Sequence, residues 1–278
     1  MFNFMLSVVP LKLRICLFFL YKQRYFWNPK EPKTFSEKIQ CRKFNLTKNM
    51  SIYADKYAVR KYVENKIGSE YLIPLLWYSS ASDFVDFPDF DEHAVIKTNH
   101  GSGVNHIEFL PTKKSKEEVV EKFKSSLSES YVGSVLGETQ YDHIPRKVII
   151  EKKLHKNGVV PVDFKFHVFN NGGEPVSFLQ VDFDRFHGHK RNYYDHEFNP
   201  IDLSVIYPSG DYSLPDETYL LEMRKLAFKL LGDLGYARID LYLFDEKVYF
   251  GEITLTPGSG FEKFSNKFYD EMWGKLWK

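Results

Sequence analysis

The stretch YARIDLYLFDEKVYFGEITLTPGSG, residues 236–260, decides how the C-terminal part of this chain folds. Its alternation of apolar and polar residues predicts two β-strands joined by a tight turn. Each strand nevertheless carries an acid in its middle, Asp240 in the first and Glu252 in the second. Because the rest of the hairpin is apolar enough to be buried, these two carboxylates need a structural or chemical explanation.

The register of the hairpin decides whether the two acids meet, because side chains alternate between the faces of a strand. A three-residue loop at residues 245–247 would set Asp240 directly across from Glu252. The same register would set Arg238 across from Thr254, whereas a two-residue loop would place the acids on opposite faces. We expect the first register, since it leaves the other face uniformly apolar, which burial favours.

Two carboxylates set directly across from each other lie about 5 Å apart and repel. One of them can hold a proton, a cation can lie between them, or Asp240 can pair with Arg238 or a nearby lysine as a structural ion pair. A cation held by carboxylates and substrate phosphates would be Mg²⁺. The sequence TPGSG that follows supports a ligand site, because glycine lets the backbone approach a ligand closely.

The composition is that of an ordinary soluble globular protein. The 278 residues, 43% hydrophobic and 27% charged, suffice for one large unit or two to three small ones. The net charge of +1 gives no argument for nucleic acid as a partner. The two cysteines, Cys16 and Cys41, predict neither a disulfide framework nor a metal site, which suits a reducing cytoplasm.

The N-terminal segment MLSVVPLKLRICLFFLYKQR, residues 5–24, is apolar and ends in basic residues. Lys12 and Arg14 interrupt it, and the remaining run at residues 15–20 is far shorter than the ~20 residues that a membrane-spanning helix needs. The segment also lacks the small-residue cleavage site of a signal peptide. We expect a helix packed on the protein, with a helix lying on a membrane surface as the alternative.

Three sections of the chain differ in pattern. Residues 1–75 predict helices, whereas residues 76–155 combine strands such as HAVIKTN and KVIIEKKL with a capped, charged helix. Residues 156–278 hold longer strands, the hairpin, and a helix with one apolar stripe that we expect to start at Pro215 and end at Gly235. Long strands linked by turns predict a mixed α+β fold with mainly antiparallel sheets.

A glycine-rich loop follows a predicted strand in VIKTNHGSGVNHI, residues 95–107. The backbone N–H groups of Gly101, Ser102 and Gly103 could point at phosphate oxygens, and Lys97 could add a positive charge. A hairpin turn can have the same Gly-Ser-Gly sequence. The sequence contains neither a Walker motif nor a G-x-G-x-x-G fingerprint.

Two further polar stretches have a structural and a functional interpretation. In KVIIEKKLHKNG, Glu151 marks either a solvated strand end or a strand edge that presents backbone groups to an adenine. In DFDRFHGHKRNYYD, His187 and His189 have a spacing that zinc accepts, but a third ligand is lacking. A basic loop that binds anionic substrate groups is the favoured interpretation, built from Arg185, His187, His189, Lys190 and Arg191.

Taken in chain order, these features resemble the ATP-grasp superfamily. The C-terminal stretch RIDLYLFDEKVYFGEITLTPGSG is similar to the superfamily signature R-x-D…E-x-N…P-G. The similarity to the TupA-like branch, which is associated with surface polysaccharide genes, is closer still. It extends from TFSEKIQ at Thr34 through ADKYAVRKYV, IEKKL, DFKFHVFN and HKRNYYD to PGSGFEKF near Phe264.

The resemblance implies two α+β subdomains that clasp ATP. Residues 76–155 would form the small subdomain with the glycine-rich loop, and residues 156–278 the large subdomain with the metal site. Residues 1–75 would form a helical region on the substrate side. The residues assigned to the ATP phosphates are Lys56 and Lys97, together with the mobile loop of Gly101, Ser102 and Gly103. A hinge that binds adenine is assigned to Glu151, Lys152 and Leu154, and Lys165 is a further ATP-binding lysine, on a strand.

The resemblance also implies the catalytic residues. Arg238 matches the arginine that steadies an acyl phosphate and the tetrahedral intermediate that follows. Lys190 is the counterpart of the basic residue on the γ-phosphate, with Arg185 as its substitute.

The magnesium ligands implied by the resemblance are Asp240 and Glu252. Thr254 stands where the superfamily usually has asparagine, and a hydroxyl coordinates Mg²⁺ less reliably, which bears on a second metal position.

The resemblance implies an ATP-dependent carboxylate–amine ligase that works through an acyl phosphate. Its substrates would be an amino acid or other amine and a uronic-acid unit of a bacterial capsule or other surface polysaccharide. It would work in the cytoplasm, at the inner face of the membrane if it associates peripherally. The alternatives are an ATP-grasp phosphotransferase and a nucleotide-binding module without chemistry; the presence of Arg238 and both acids argues against the second.

Overall fold

The computed structural model describes residues 9–80, 88, 93–155, 160–185 and 188–278. The chain divides into two units. The larger unit combines Met1–Leu46, Val135–Thr139 and Val162–Lys278, and the smaller unit combines Thr47–Ser134 and Gln140–Pro161. The N-terminal helical stretch is therefore shared between the two units.

The smaller unit is built on a four-stranded antiparallel sheet with the order β1-β4-β2-β3. Its strands are β1 (Leu75–Ser80), β2 (Ala94–Thr98), β3 (Ile107–Phe109) and β4 (Lys147–Lys152). The charged helix Lys116–Ser128 begins where the sequence predicts, because Ser115 and Glu118 form a reciprocal capping box.

One face of this sheet packs on the helix Lys116–Ser128. Its core is aliphatic and aromatic: Ala94, Ile96, Val148 and Ile150 from the sheet, and Val119, Phe123 and Leu127 from the helix. Because neighbouring residues of a strand point to opposite faces, Lys97 and Glu151 lie on the face turned away from this helix.

Two short helices precede the sheet of the smaller unit, Ser51–Ala54 and Val59–Ile67. Asp55 separates them, since its carboxylate accepts hydrogen bonds from the backbone N–H groups of Tyr57 at 2.8 Å and Ala58 at 3.2 Å. The second helix ends at Gly68, whose φ of 113° favours glycine.

The larger unit is built on a five-stranded antiparallel sheet with the order β7-β6-β5-β8-β9. Its strands are β5 (Asp163–Phe169), β6 (Val176–Phe183), β7 (Lys190–Tyr194), β8 (Tyr236–Phe244) and β9 (Lys247–Thr254). The mixed α+β class with antiparallel sheets is thus confirmed.

The helix Glu217–Leu231 contacts β5 and β8. Its stripe of Leu220, Met223, Leu226 and Leu230 is buried, as the spacing predicts. Its expected limits are wrong. It begins after Asp216, whose carboxylate accepts the Thr218 N–H at 2.9 Å, and it stops before Gly232, where φ is 53°. Pro215 and Gly235 therefore lie outside it.

Helix Leu11–Gln23 also belongs to the larger unit, and the expectation that it packs on the protein is confirmed. Ile15 and Phe19 are fully buried in a cluster with Trp27 and Phe261. In the part of the chain that the structure describes, no helix is long and apolar enough to cross a membrane.

Two more helices complete the larger unit, Phe35–Lys43 and Lys267–Leu276, and they contact each other. Their aromatic residues form one cluster with the sheet, in which Phe35 and Trp273 lie with ring centroids 5.5 Å apart. This cluster fixes the helix Phe35–Lys43 beside the turn that follows β9.

Candidate functional site

The hairpin of β8 and β9 has the expected pairing at its acids. Asp240 pairs with Glu252, and Arg238 pairs with Thr254. On the opposite face, Ile239 is fully buried, as an apolar face requires. The prediction that the two acids share one face of the sheet is confirmed.

The expected three-residue loop of this hairpin is wrong. Phe244 pairs with Lys247, so only Asp245 and Glu246 form the turn, with φ of 48° and 59°. Two residues of positive φ match the twist of the flanking strands, as in a type I′ turn. A one-residue shift of register after Asp240 then restores the common face.

Gly251 is the extra residue of this bulge, since Asp240 pairs with Glu252 and Leu241 pairs with Phe250. A Cβ at Gly251 would lie 3.0 Å from the Asp240 carbonyl oxygen and 3.0 Å from the Tyr242 ring. Glycine is therefore the residue that lets the bulge form.

Arg238 links the two acids. Its Nε donates to Asp240 Oδ1 at 2.7 Å, and its Nη2 donates to Asp240 Oδ2 at 2.7 Å and to Glu252 Oε1 at 2.8 Å. The same Nη2 lies 3.1 Å from Thr254 Oγ1. The ion pair that the sequence leaves open as an alternative is therefore formed, and the guanidinium offsets the repulsion between the carboxylates.

Lys165 is the second cation at Asp240. It lies on β5 directly across from Asp240, and its Nζ is 3.1 Å from Asp240 Oδ2. Burial opposes ionisation of Asp240, but Arg238 and Lys165 outweigh it and lower the pKa of Asp240. Burial likewise opposes the charge on Lys165, and the neighbouring acids, Asp240 first, raise its pKa. Asp240 is therefore ionised at neutral pH.

Two further buried acids, which belong to none of the predicted sites, complete this cluster. Asp182 Oδ2 lies 3.5 Å from Lys165 Nζ, and Asp163 Oδ1 lies 3.8 Å from it. Asp163 pairs with Asp182 across β5 and β6, so both project to the same face as Asp240. The signal for them is the alternation in VDFKFH and LQVD, where polar or charged residues recur at every second position of buried strands.

The residues of the basic loop serve different purposes. Arg185 pairs with Asp163, which joins it to the acid cluster. Arg191 Nε donates to Asp182 at 2.6 Å, and His189 Nε2 lies 3.1 Å from the same carboxylate. Lys190 begins β7 opposite Phe183. His187, the other member of the zinc pair considered above, lies outside the described residues.

The oxygen donors at the hairpin fit a magnesium ion. Asp240, Glu252 and Thr254 offer two carboxylates and a hydroxyl, which are ligands that Mg²⁺ accepts. The Glu252 side chain is 45% exposed, so it is accessible from solvent. Among the described residues no group of three His, Cys, Asp or Glu side chains is arranged to hold a metal. A metal here would therefore need further oxygen donors, of the kind that phosphates supply.

In the smaller unit, Lys97 and Glu151 form an ion pair with Nζ and Oε2 2.9 Å apart. Arg60 Nη1 donates to the other oxygen of Glu151, also at 2.9 Å. Glu151 is buried, so the interpretation as a solvated strand end is wrong. Its carboxylate holds Lys97 in place on the sheet face turned away from the helix.

The expectation of a strand edge at Glu151 is also wrong, because β4 lies between β1 and β2. The backbone N–H groups that follow are engaged as well: that of Lys152 donates to the Pro74 carbonyl and that of Lys153 to the His93 carbonyl, both at 3.0 Å. Leu154, which is half-buried, is the first residue past these bonds.

The glycine-rich loop is anchored at its start by Asn99, which is fully buried. Asn99 Nδ2 donates to Asp55 Oδ1 at 2.8 Å, and Asn99 Oδ1 accepts the Lys147 N–H at 2.8 Å. Lys56 Nζ donates to the Gly101 carbonyl oxygen at 2.7 Å, so the structure brings these two predicted residues together. No motif in the sequence marks Asn99 as the residue that anchors this loop.

The loop itself requires its glycines. A Cβ at Gly101 would lie 2.0 Å from the His106 ring, and Gly103 has a φ of 83°. Ser102, between them, is exposed. The loop therefore presents backbone and a hydroxyl to solvent, as an anion-binding loop does.

The turn after β9 is held from inside the larger unit. Gly258, Ser259 and Gly260 have φ of 55°, 54° and 67°, three successive residues in the left-handed region. Gln40 Nε2 donates to the carbonyl oxygens of Ser259 and Gly260 at 3.0 Å each. Lys43 Nζ donates to Ser259 O and Oγ at 2.8 Å each. No local sequence pattern indicates that Gln40 and Lys43 hold this turn.

A cavity of about 40 Å³ lies beside Arg238 in the larger unit. Polar groups contribute much of its lining: His167, Gln180, Arg191, Arg238, Glu262 and Trp273. His167 donates through Nε2 to Gln180 Oε1 at 2.9 Å, and burial lowers the pKa of His167 to about 3. Trp273 Nε1 is buried without a hydrogen-bond partner among the described residues. A cavity of this size holds a few waters or a small polar group.

Comparison with known proteins adds to this geometry. The family model TupA-like ATPgrasp matches residues 37–278. A comparison with curated protein sequences finds no match.

Among solved structures, D-alanine–D-alanine ligase from Helicobacter pylori is similar with a TM-score of 0.52 and 15% identity, over 81% of this chain and 59% of that chain. L-amino acid ligase from Bacillus licheniformis is similar with a TM-score of 0.48 and 16% identity, over 81% of this chain and 49% of that chain. The chain thus spans less than two thirds of the length of these ligases. At 15% identity, the similarity to the Helicobacter pylori enzyme supports the fold alone.

Proposed function

This chain belongs to the TupA-like ATP-grasp family, and we propose that it is an ATP-dependent ligase that joins a carboxylate to an amine. The family membership confirms the resemblance that the sequence motifs carry. The observation that supports the activity most is the set of Arg238, Asp240 and Glu252 on paired strands, with the guanidinium within 2.8 Å of both carboxylates. The presence of Arg238 together with both acids argues against a binding module without chemistry.

The smaller unit would bind the nucleotide. Lys97, oriented by Glu151, and Lys56, bonded to the glycine-rich loop, would neutralise phosphate charge. Exposed Ser102 and the flanking glycines would offer backbone N–H groups to phosphate oxygens. The hinge would read adenine through backbone groups from Leu154 onward, because the N–H groups of Lys152 and Lys153 are engaged within the unit.

The larger unit would provide the metal site and the catalytic arginine. Asp240, Glu252 and Thr254 would hold Mg²⁺, which when bound offsets the charge of the triphosphate during in-line transfer to a carboxylate. Lys165, Arg185 and Lys190 would add positive charge on this side. Arg238 is placed by its two acids, and its guanidinium would steady the charge on the acyl phosphate and on the intermediate formed when the amine attacks.

The proposed reaction needs no side chain that bonds covalently to a substrate. A substrate carboxylate oxygen bonds to the γ-phosphorus of ATP while the bond to the bridging oxygen of ADP breaks. The amine nitrogen then bonds to the acyl carbon, phosphate leaves, and the amine loses a proton. The residues of the chain would bind, orient and exclude water from these steps.

We propose that the substrates are an amino acid and a uronic-acid unit of a surface polysaccharide, acted on in the cytoplasm where ATP is available. The association of the TupA-like branch with polysaccharide genes supports the sugar. The cavity beside Arg238 supports a small polar second substrate, because Glu262, Arg238 and Trp273 line it and Trp273 Nε1 is buried without a hydrogen-bond partner among the described residues. The competing function is that of a phosphotransferase, in which the reaction stops after the first step and leaves a stable phosphorylated product.

The test is ADP release with Mg²⁺-ATP, a panel of uronic acids and a panel of amino acids, each omitted in turn. The ligase proposal expects ADP only when both a carboxylate and an amine are present. ADP release with the sugar alone and a stable phosphorylated sugar would establish a phosphotransferase. ATP binding without ADP release under any combination would favour a non-catalytic module.

A further inference from the structure

The outward face of the helix Leu11–Gln23 is apolar. Leu13, Leu17 and Tyr21 are 50%, 57% and 63% exposed, and their four-residue spacing places them in one row along the helix. Ile15 and Phe19, on the opposite side, are fully buried in the cluster with Trp27 and Phe261. The helix therefore already buries one apolar face and leaves a second one in solvent.

This second face is unusual for a helix on a globular protein, whose outward side is normally polar. The row spans about 12 Å along the helix axis at the standard rise per residue. Phe26, just beyond the helix, is 79% exposed and extends the apolar surface. We call Leu13, Leu17, Tyr21 and Phe26 the apolar row.

Basic residues surround the apolar row, and acids are absent from this part of the sequence. Residues 1–30 carry a formal charge of +5 with no Asp or Glu, in a chain whose net charge is +1. Lys12, Lys22, Arg24 and Lys30 are exposed. Tyr21 lies under two of these cations, with Arg24 5.2 Å and Lys22 5.8 Å from its ring centroid.

We propose that the apolar row and its cations dock the protein on a bilayer that contains anionic lipid. An apolar helix face flanked by Lys and Arg is the pattern of helices that lie in the membrane interface, about 5–10 Å into the headgroup region. A tyrosine beside cations is typical of the same region, where one end of the side chain meets apolar chains and the other meets water.

The charges favour a lipid surface over a second copy of this chain. A symmetric dimer formed through the apolar row would bring the cations of both copies together without acids from residues 1–30 to pair with them. An anionic bilayer instead attracts each cation, and this attraction fades within a Debye length and with added salt.

The experiment is co-sedimentation of the full chain with vesicles of phosphatidylglycerol and phosphatidylcholine, compared with vesicles of phosphatidylcholine alone. We expect binding to the anionic vesicles at least tenfold tighter than to the neutral ones, and a loss of that preference at high salt. Equal binding to both kinds of vesicle, or to neither, would overturn the proposal.

Two variants separate the two parts of the surface. Leu13→Ser with Leu17→Ser should weaken binding to anionic vesicles at least tenfold, and Lys22→Gln with Arg24→Gln should remove the preference for anionic lipid. The matched control is Leu221→Ser with Phe268→Ser, which changes two apolar residues that are also exposed, 41% and 61%, elsewhere on the larger unit. Unchanged binding in both test variants would refute the proposal. A wild-type dimer in scattering measurements that Leu13→Ser with Leu17→Ser dissociates would assign the row to a second copy instead.

Discussion

Asp240 lies directly across from Glu252 on neighbouring strands, although only two residues connect those strands. A two-residue turn alone would send the acids to opposite faces of the sheet. The bulge at Gly251 returns them to the same face, where Arg238 Nη2 lies 2.7 Å from one carboxylate and 2.8 Å from the other. The pairing of these acids with one arginine is the geometric basis of the proposed function.

Replacing Glu252 by glutamine should lower the turnover rate by about 100-fold or more, while the fold persists. The amide keeps the hydrogen-bonding shape but loses the charge that a metal and Arg238 require. Because Arg238 already offsets the repulsion between the acids, we expect little change in the free energy of unfolding. ADP release and a thermal melt measure the two effects, with Glu246→Gln in the turn of the same hairpin as the control. A destabilised variant with normal activity would mean that the acid is structural.

Replacing Asp240 by asparagine should instead destabilise the larger unit. Asp240 is 2% exposed and pairs with both Arg238 and Lys165, so its loss leaves buried cations short of a partner. Breaking a buried pair in this way costs about 3 kcal/mol. Urea unfolding of the variant should show that loss, and the exposed Asp233→Asn should not. Equal stability of Asp240→Asn and the wild type would show that the neighbouring acids suffice for both cations.

Replacing Lys97 by methionine should weaken ATP binding about tenfold or more and leave the fold intact. The variant keeps the Glu151 carboxylate paired, because Arg60 still donates to it at 2.9 Å. Calorimetric titration with ATP measures the affinity, and the exposed Lys113→Met on the same unit is the control. Nucleotide binding that is unchanged in Lys97→Met would refute the role assigned to this lysine.

Lys43 should make the stability of the larger unit depend on pH. Burial lowers the pKa of Lys43 to about 7, with the charge of Glu138 opposing the shift. Between pH 7 and the ordinary lysine pKa, the unfolded chain binds this proton and the folded chain does not, so stability rises with pH in that window. Below pH 7 both states bind it and the dependence vanishes.

The measurement for Lys43 is the unfolding midpoint of the wild type and of Lys43→Met from pH 6 to pH 9. The wild type should gain stability relative to the variant above pH 7, and the difference between them should be constant below pH 7. A constant difference over the whole range would show that the folded protein keeps this lysine charged. The exposed Lys247→Met should follow the wild type throughout.

The parts of this structure that local patterns govern could be predicted from the sequence. The alternation in RIDLYLF and the capping box at Ser115 involve neighbours in the chain, and the strands and the helix start follow from them. The pairing of Asp240 with Glu252 is predicted correctly, but from the wrong loop length. Nothing in the local pattern distinguishes a three-residue loop from a two-residue turn with a bulge at Gly251.

The contacts that bridge distant parts of the chain could not be predicted. Arg60 and Glu151 are 91 positions apart, and Lys43 and Ser259 are 216 apart. Each pair depends on which surfaces the tertiary fold brings together. The local sequence around either residue of a pair carries no information about that. The pairing of Asp240 with Arg238 is among the alternatives that the sequence offers, but the ion pair that holds Lys97 against Glu151 became visible only in three dimensions.

Calorimetric titration with ATP, in the presence of magnesium or of EDTA, measures how Mg²⁺ changes the ATP affinity of the wild type and of Glu252→Gln. If Asp240 and Glu252 hold a metal that carries the nucleotide phosphates, Mg²⁺ should tighten ATP binding at least tenfold in the wild type and by much less in the variant. The same ATP affinity with and without Mg²⁺ in the wild type would show that Asp240 and Glu252 hold no metal at the nucleotide phosphates.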